Sequence, residues 1–403
     1  MFVAHRAPTL KTVLLATGVV LTLAMGVRHG FGFWMQPISQ ANGWTRETYS
    51  LAQAMQNLMW GAFGPFAGMA ADRFGTMRVV LVGAVCYAAG LVWMAMVTQP
   101  TLFVLGTGVL VGLGLACTAF GAVSGIIGRV APADKRSWAF GISGAASSFG
   151  QFMMMPVEQQ LISAVGWQNA FYILGALIVL LMVPMAFYLR EPAVTHAQGP
   201  QQSIREAASE ALGNRSFLFL VAGYFVCGFQ VVFIGVHLPA YLKDKGIGDP
   251  GVAVMALALI GLFNIFGSYY AGKLGGRFPK RYLLSTIYFA RSVVITLFLL
   301  APLMPLSVYL FAAAMGVLWL STVPLTNGII AGVFGVKHMS MLAGMVFFSH
   351  QLGSFLGVWL GGYLYSSTGS YDIVWGIAIA LGVMAGVINL PISERPLVRA
   401  QAA

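Results

Sequence analysis

The chain is 403 residues long, with 59% hydrophobic and 8% charged side chains, where soluble domains carry about 25% charge. That is too little polar surface to cover a soluble protein of this size, so most of the exterior faces lipid. The composition excludes a disordered chain, a nucleic-acid binder and a cytosolic enzyme, and it leaves the formal charge of +11 needing another explanation.

Apolar segments of roughly 20 residues cross a bilayer, and charge, proline and glycine divide this chain into twelve of them. A short basic lead with His5, Arg6 and Lys11 precedes the first, over residues 12–36. That stretch is too long for a signal-peptide core and lacks a clear small-residue cleavage site, so it reads as a retained span. Spans two to six follow at 47–71, 77–97, 101–129, 137–163 and 168–189. A polar stretch then interrupts them. Within it Ser203-Ile204-Arg205-Glu206 fits a capping box, and Gly213 is placed to end a short amphipathic helix at the membrane face. Spans seven to twelve run over 217–241, 251–271, 282–301, 306–333, 339–366 and 371–390. The expected architecture is an all-α polytopic membrane protein. It has a six-helix bundle over 1–190, a linker over 191–216 and a second bundle over 217–403.

Positive charge orients these spans. With the N-terminus inside, 17 of the 22 Lys and Arg fall on the inner side, while Arg46, Lys243 and Lys245 are the 3 outside. Arg28 and Arg291 remain within spans. Both termini are therefore expected in the cytoplasm, at the plasma (inner) membrane, and the excess charge is topological. Cys86, Cys117 and Cys227 lie in apolar runs without ligand spacing, which predicts neither a disulfide framework nor a metal site.

The halves repeat. At an offset of 203 residues Gly141, Gly150 and Phe152 fall on Gly344, Gly353 and Phe355, and Gly125-Ile126-Ile127 falls on Gly328-Ile329-Ile330. Gly68 and Arg73-Phe74 meet Gly272 and Arg277-Phe278 at 204, and Pro37 meets Pro239 at 202. Two six-helix bundles in parallel repeat are a transporter architecture, with the site between the halves at mid-membrane.

Gly68-Met69-Ala70-Ala71-Asp72-Arg73-Phe74-Gly75-Thr76-Met77-Arg78 resembles the G-x-x-x-D-R-x-G-r-r loop of the major facilitator superfamily. The resemblance implies a gate. Gly68 lets two helices approach, Asp72 accepts from a neighbouring helix N-terminus or Arg, and the arginines Arg73 and Arg78 anchor at headgroups, with Gly75 in the turn. The copy around Gly272 and Arg277 has Gly276 in place of the Asp and Pro279 in place of the second Gly, which implies a weaker second gate.

Within that superfamily the chain is similar to the monocarboxylate transporter and oxalate/formate antiporter group. The likeness rests on Gly26-Val27-Arg28-His29-Gly30-Phe31-Gly32-Phe33-Trp34, Gly43-Trp44-Thr45-Arg46 and Lys135-Arg136-Ser137-Trp138-Ala139-Phe140-Gly141. Pro156, Gln159 and Gly166-Trp167 agree with it. The resemblance implies a basic residue in span one, where Arg28 stands. Animal members carry an Asp and, four residues on, an Arg in span eight, and here those positions hold Asn264 and Ser268.

Gly267-Ser268-Tyr269-Tyr270-Ala271-Gly272-Lys273-Leu274 imitates a phosphate-binding loop, but it ends in Leu and follows an apolar helix, so no nucleotide is expected. No hydrolase or metalloprotease motif occurs, and neither an enzyme nor a cofactor is predicted.

An ionisable group inside the bilayer costs about 2.5–3.5 kcal/mol, so each such group is a functional candidate. Arg28 reads as a cavity-lining anion ligand or as a structural partner of Glu158. Gln230, its repeat counterpart, is expected to bind the substrate through the amide hydrogen bonds that a carboxylate also uses. His350, midway along span eleven, reads either as a packed core histidine or as a group that binds the anion or titrates. Arg291 is either a ligand or a structural donor. Asn57, Asn264 and Asn327 add polar faces and are expected to line the substrate site, and His29 and His237 fall near the outer ends.

Two arginines lie within spans and no acid lies near the midplane. The expected function is therefore secondary transport of a small organic anion, a monocarboxylate, by alternating access, with proton coupling through Glu158 or His350. The transporter is expected to work as a monomer in lipid, without nucleic acid. An efflux transporter for neutral or aromatic compounds, or a non-transporting sensor of the same fold, are the other readings.

Overall fold

The Thr9 side chain accepts the Thr12 amide at 3.3 Å and starts the first helix, α1 (Leu10–His29). The computed structural model describes residues 8–44, 46–191 and 202–397. The basic lead at His5 and Arg6, residues 192–201 of the linker, and Arg399 lie outside the described residues. After a 3₁₀ turn at Gly30–Trp34 come α2 (Met35–Asn42), α3 (Arg46–Phe74) and α4 (Thr76–Met96). One span is then assembled from α5 (Pro100–Gly106), a π-helical turn at Thr107–Val111, α6 (Gly112–Thr118) and α7 (Phe120–Val130). α8 (Arg136–Val165) and α9 (Trp167–Tyr188) follow, and α10 (Ile204–Leu212) lies in the linker. The second half contains α11 (Arg215–Asp244), α12 (Pro250–Gly275), α13 (Lys280–Leu300), α14 (Pro305–Leu318), α15 (Thr322–Phe334), α16 (Met339–Thr368) and α17 (Asp372–Asn389).

α10 starts on the capping box read from the sequence. The Glu206 amide donates to Ser203 Oγ at 3.2 Å, and the Ser203 amide donates to the Glu206 carboxylate at 2.6 Å. That bond from the Ser203 amide holds the Glu206 carboxyl below its ordinary range.

Among the described residues ten segments are long and apolar enough to cross a membrane, against the twelve expected. The helices that fall short are α3 and α8. They are 29 and 30 residues long, so length is not the reason. Polar residues are: α3 carries Gln53, Gln56 and Asn57, and α8 carries Gln151 and Glu158. Gln56, Gln151 and Glu158 are buried in protein, and a helix shielded from lipid on that face needs less apolar character.

The halves pack alike. In the first, α1 lies on α8, α3 on α6 and α4 on α9; in the second, α11 lies on α16, α12 on α14 and α13 on α17. Corresponding spans thus take corresponding neighbours, as the offset of about 203 residues implies. Trp34 stacks on Phe171 with centroids 3.9 Å apart in the first half, and Phe298 on Phe311 at 4.1 Å in the second. Leu180, Leu297, Leu300 and Leu310 are exposed on the outside, a surface suited to lipid.

Spans four and ten are both broken midway, at equivalent positions. Ala119 is extended between α6 and α7 (ψ 174°), and residues 319–321 separate α14 from α15. Non-helical backbone at membrane depth is tolerated where it is buried in protein or lines a cavity.

The halves meet chiefly through α3 against α16 and α8 against α12, with α7 on α16 and α15 on α8. Glycines set these approaches. A Cβ on Gly344 would stand 2.6 Å from the Gly64 carbonyl oxygen, and one on Gly272 would stand 2.7 Å from Gly141 Cα. Gly353, Gly357 and Gly361 instead lie against α11, where a Cβ on Gly357 would meet the Phe229 carbonyl oxygen at 2.6 Å.

Candidate functional site

Arg28 sits one residue before the end of α1, half-buried. Its Nη2 donates to Asn57 Oδ1 at 2.6 Å, and its guanidinium carbon lies 5.0 Å from the centre of the Trp60 ring. Asn57 in turn donates through Nδ2 to the Gln53 carbonyl at 3.0 Å. The guanidinium is thereby aimed by α3, while its Nε remains buried without a partner.

Arg28 lines a cavity of about 120 Å³ between the halves. From the first half come Arg28, Trp60, Phe120 and Ser147; from the second come Tyr224, Trp319, Phe347, His350 and Gln351. Both broken spans reach it, through Ala119, Phe120 and Gly121 on one side and Trp319, Leu320 and Val323 on the other. Among the described residues that line it there is no Asp or Glu. A guanidinium in such a site favours anionic ligands.

His350 also faces this cavity. Its Nδ1 lies 3.2 Å from Gln351 Oε1 and 3.3 Å from Ser354 Oγ, and its ring stacks on Phe347 at 5.5 Å. Gln351 Nε2 donates to the Asn57 carbonyl at 3.2 Å. Arg28, Asn57, Gln351 and His350 thus form one chain of contacts across the two halves.

The other candidate ligands occupy different places. Arg291 is fully buried beneath the break in span ten. Its Nη2 donates to the Leu318 carbonyl at 2.7 Å and also to the Trp319 carbonyl, and its Nη1 donates to Gln230 Oε1 at 3.4 Å. Those carbonyls end α14 and have no helical partner, so the guanidinium satisfies them. Gln230 Nε2 is taken by the Ala378 carbonyl at 2.8 Å. Asn264 Oδ1 accepts the Leu320 amide at 2.9 Å, and its Nδ2 donates to Ser148 Oγ at 2.8 Å. None of these three borders the cavity; together they clasp the broken backbone. Asn327 borders a smaller recess that shares Phe120, Gly121, Tyr224 and Phe347 with the cavity.

Glu158 is fully buried and stands apart from Arg28. It accepts Trp34 Nε1 at 2.8 Å, and its Oε1 has no partner. Among the described residues no ion pair joins it to Arg28. His29 is held through Nδ1 at 2.6 Å from the Met25 carbonyl, and His237 Nε2 lies 3.0 Å from the Val358 carbonyl.

At the end of the bundle that carries Glu191 and α10, the Asp72 carboxylate makes bonds in both halves. Its Oδ1 accepts Arg129 Nη1 at 3.0 Å, and its Oδ2 accepts the Met341 amide at 3.0 Å, near the start of α16. Arg129 Nε also donates to Glu191 at 2.6 Å. Gly68 lies against the Ser340 backbone so closely that a Cβ has no room. Gly75 has φ 87°, which favours glycine. Gly272 packs on Gly141, whereas Arg73, Arg78 and Arg277 are exposed. The sequence motif contains neither Arg129 nor Glu191. Their only signal was charge at the end of a span.

Two structurally repeated helical bundles, apolar outside and enclosing between them a largely aromatic cavity that Arg28 lines, define a multi-pass membrane transporter. The model of the Major Facilitator Superfamily matches residues 15–328, and the chain belongs to that superfamily. It is 26% identical over 393 residues to the uncharacterized transporter YcxA of Bacillus subtilis, covering 95% of each chain. It is 28% identical over 339 residues to human monocarboxylate transporter 11, covering 80% of this chain and 69% of the other. The solved structure of the Escherichia coli fucose:proton symporter shares its fold, with a TM-score of 0.73 at 16% identity over 95% of this chain and 99% of that one. These proteins are transporters, and the chain is not an enzyme.

Proposed function

We propose that this protein is a secondary active transporter of a small organic anion, a monocarboxylate, working by alternating access. The observation that carries this reading is Arg28. It is presented to a cavity between the halves that no acidic side chain among the described residues lines. The name of the human relative, a monocarboxylate transporter, supports the same class. Arg28, aimed by Asn57, takes the carboxylate, and His350 faces it from the second half. Arg291, Gln230 and Asn264 hold the wall of the site and make no ligand contact.

The bundles over 1–190 and 217–403 rock about this cavity, tethered by the linker. Asp72, Arg129 and Glu191 fasten the end of the bundle that the distribution of Lys and Arg puts in the cytoplasm of the plasma (inner) membrane, with both termini on that side. The transporter acts as a monomer. For proton coupling the candidate is His350, which lines the cavity as His29 also does, while Glu158 is buried beside Trp34 and does not line it.

The aromatic walls at Trp60, Tyr224, Trp319 and Phe347 favour a second reading, efflux of neutral or aromatic compounds. Ligand-dependent thermal shift of the purified protein against matched carboxylates, amines and neutral solutes separates the two. Stabilisation by carboxylates alone is the expected result. Stabilisation by neutral aromatic solutes alone replaces the first reading with the second.

A further inference from the structure

The cavity at Arg28 is walled by rings from both halves, Trp60 and Phe120 from the first and Tyr224, Trp319 and Phe347 from the second. They form a run that starts at the guanidinium itself. The guanidinium carbon of Arg28 lies 5.0 Å from the centre of the Trp60 ring, and the Trp60 ring lies 4.7 Å from that of Phe347 in the other half. Phe347 stacks on the His350 ring at 5.5 Å, and His350 lies 5.3 Å from the Tyr224 ring. One cation and a continuous aromatic surface thus share a cavity and meet at Trp60.

Two polar groups of the same wall are already engaged. Gln351 gives its Nε2 to the Asn57 carbonyl at 3.2 Å, and its Oε1 lies 3.2 Å from His350 Nδ1. His29 Nδ1 is held 2.6 Å from the Met25 carbonyl. A hydroxylated or aminated chain therefore gives up its water here for few bonds, a loss that a ring does not suffer. An aromatic ring gains twice, from the apolar area it buries and from offset or edge-on contact with the rings of the wall.

Size and reach narrow the ligand further. The cavity holds about 120 Å³, of the same order as the roughly 150 Å³ of an apolar cavity that takes up benzene. It suits one ring and not a fused pair. Because Trp60 touches Arg28, a ring bonded to the carboxylate directly or through one carbon lies on this wall while the carboxylate stays at Arg28.

We infer that the transported anion is an aromatic monocarboxylate with a single ring, its carboxylate on Arg28 and its ring on the surface of Trp60, Phe347 and Tyr224. The inference rests on the anion reading above and narrows it: the body behind the carboxylate is a ring and not a short aliphatic chain.

The test is uptake into proteoliposomes, above that of protein-free vesicles, of benzoate, cyclohexanecarboxylate, propionate and the neutral benzamide. Wild type is expected to half-saturate with benzoate at a concentration about two- to tenfold lower than with cyclohexanecarboxylate, the gain of aromatic contact beyond buried area. Propionate, which leaves most of the wall uncovered, should need about tenfold more than benzoate or higher. Phe347→Leu is expected to narrow the gap between benzoate and cyclohexanecarboxylate. Cyclohexanecarboxylate or propionate handled as well as benzoate, or a gap unchanged in Phe347→Leu, overturns the aromatic assignment and leaves the anion reading standing. Uptake of none of the acids, or of benzamide as fast as benzoate, overturns both. Should Phe347→Leu fail to fold, Tyr224→Leu takes its place with the same two outcomes.

Discussion

Asp72 and Met341 lie 269 positions apart in sequence, yet the Asp72 carboxylate accepts the Met341 amide at 3.0 Å. One side chain of the first half thereby caps a helix of the second, and it does so while paired with Arg129 at 3.0 Å. The same amide is one of the unpaired donors at the start of α16. In the alternating-access cycle proposed above, this bond breaks and re-forms each time.

Asp72→Ala removes both bonds at once and leaves Arg129 with Glu191 alone. Losing one member of a buried pair costs about 3–5 kcal/mol, and the surviving Glu191 contact puts the expected loss near the lower end. Thermal unfolding should show it. Ligand-induced stabilisation should survive, because Asp72 is remote from Arg28. The uptake rate should fall with little change in the concentration giving half-maximal uptake.

Arg291 and Arg28 are both arginines within spans, but they predict opposite phenotypes. Arg291 satisfies the carbonyls of Leu318 and Trp319. Arg291→Leu abandons them at about 1–3 kcal/mol for each unsatisfied group. It should therefore unfold at lower temperature than Arg28→Gln and should lower uptake of every substrate by the same factor. A substrate-dependent change in half-saturation with unchanged thermal stability would show that Arg291 touches the ligand.

Proton coupling is tested by a pair of substitutions. His350 lines the cavity, whereas Glu158 is enclosed beside Trp34 at 2.8 Å. His350→Gln should abolish the response of uptake to an imposed pH gradient while leaving exchange of anion for anion. Glu158→Gln keeps the shape and an oxygen for Trp34, and it should leave the gradient response intact. The reverse pattern assigns the proton to Glu158.

Much of the fold was legible because its causes are local or repeated. The scarcity of charge announces lipid, and Gly141 and Gly344, at equivalent places in the repeat, are both contact points between the halves. The loop at Gly68–Arg78 marked one end of the interface, although its partners Arg129, Glu191 and Met341 come from other segments that no spacing links to Asp72. The broken spans were less visible. Neither Ala119 nor the Trp319-Leu320-Ser321 run carries a glycine or proline that would announce a stop, although Pro324 is placed as a first-turn residue of α15. The roles of Arg28 and Arg291 were not separable in sequence for a related reason. Each is a cation in an apolar helix, and only the packing decides whether it faces a cavity or the open end of another helix. Gln230 and Asn264, which read as ligands for their polarity, have their bonding groups taken by Ala378, Arg291, Leu320 and Ser148.

The most direct measurement of the central claim is initial uptake of a labelled monocarboxylate into proteoliposomes by wild type and Arg28→Gln. A hydrogen bond to a charged group contributes about 1.5–3 kcal/mol, so Arg28→Gln should reduce uptake by about 10- to 100-fold while unfolding within a few degrees of wild type. Full uptake by Arg28→Gln would contradict the account.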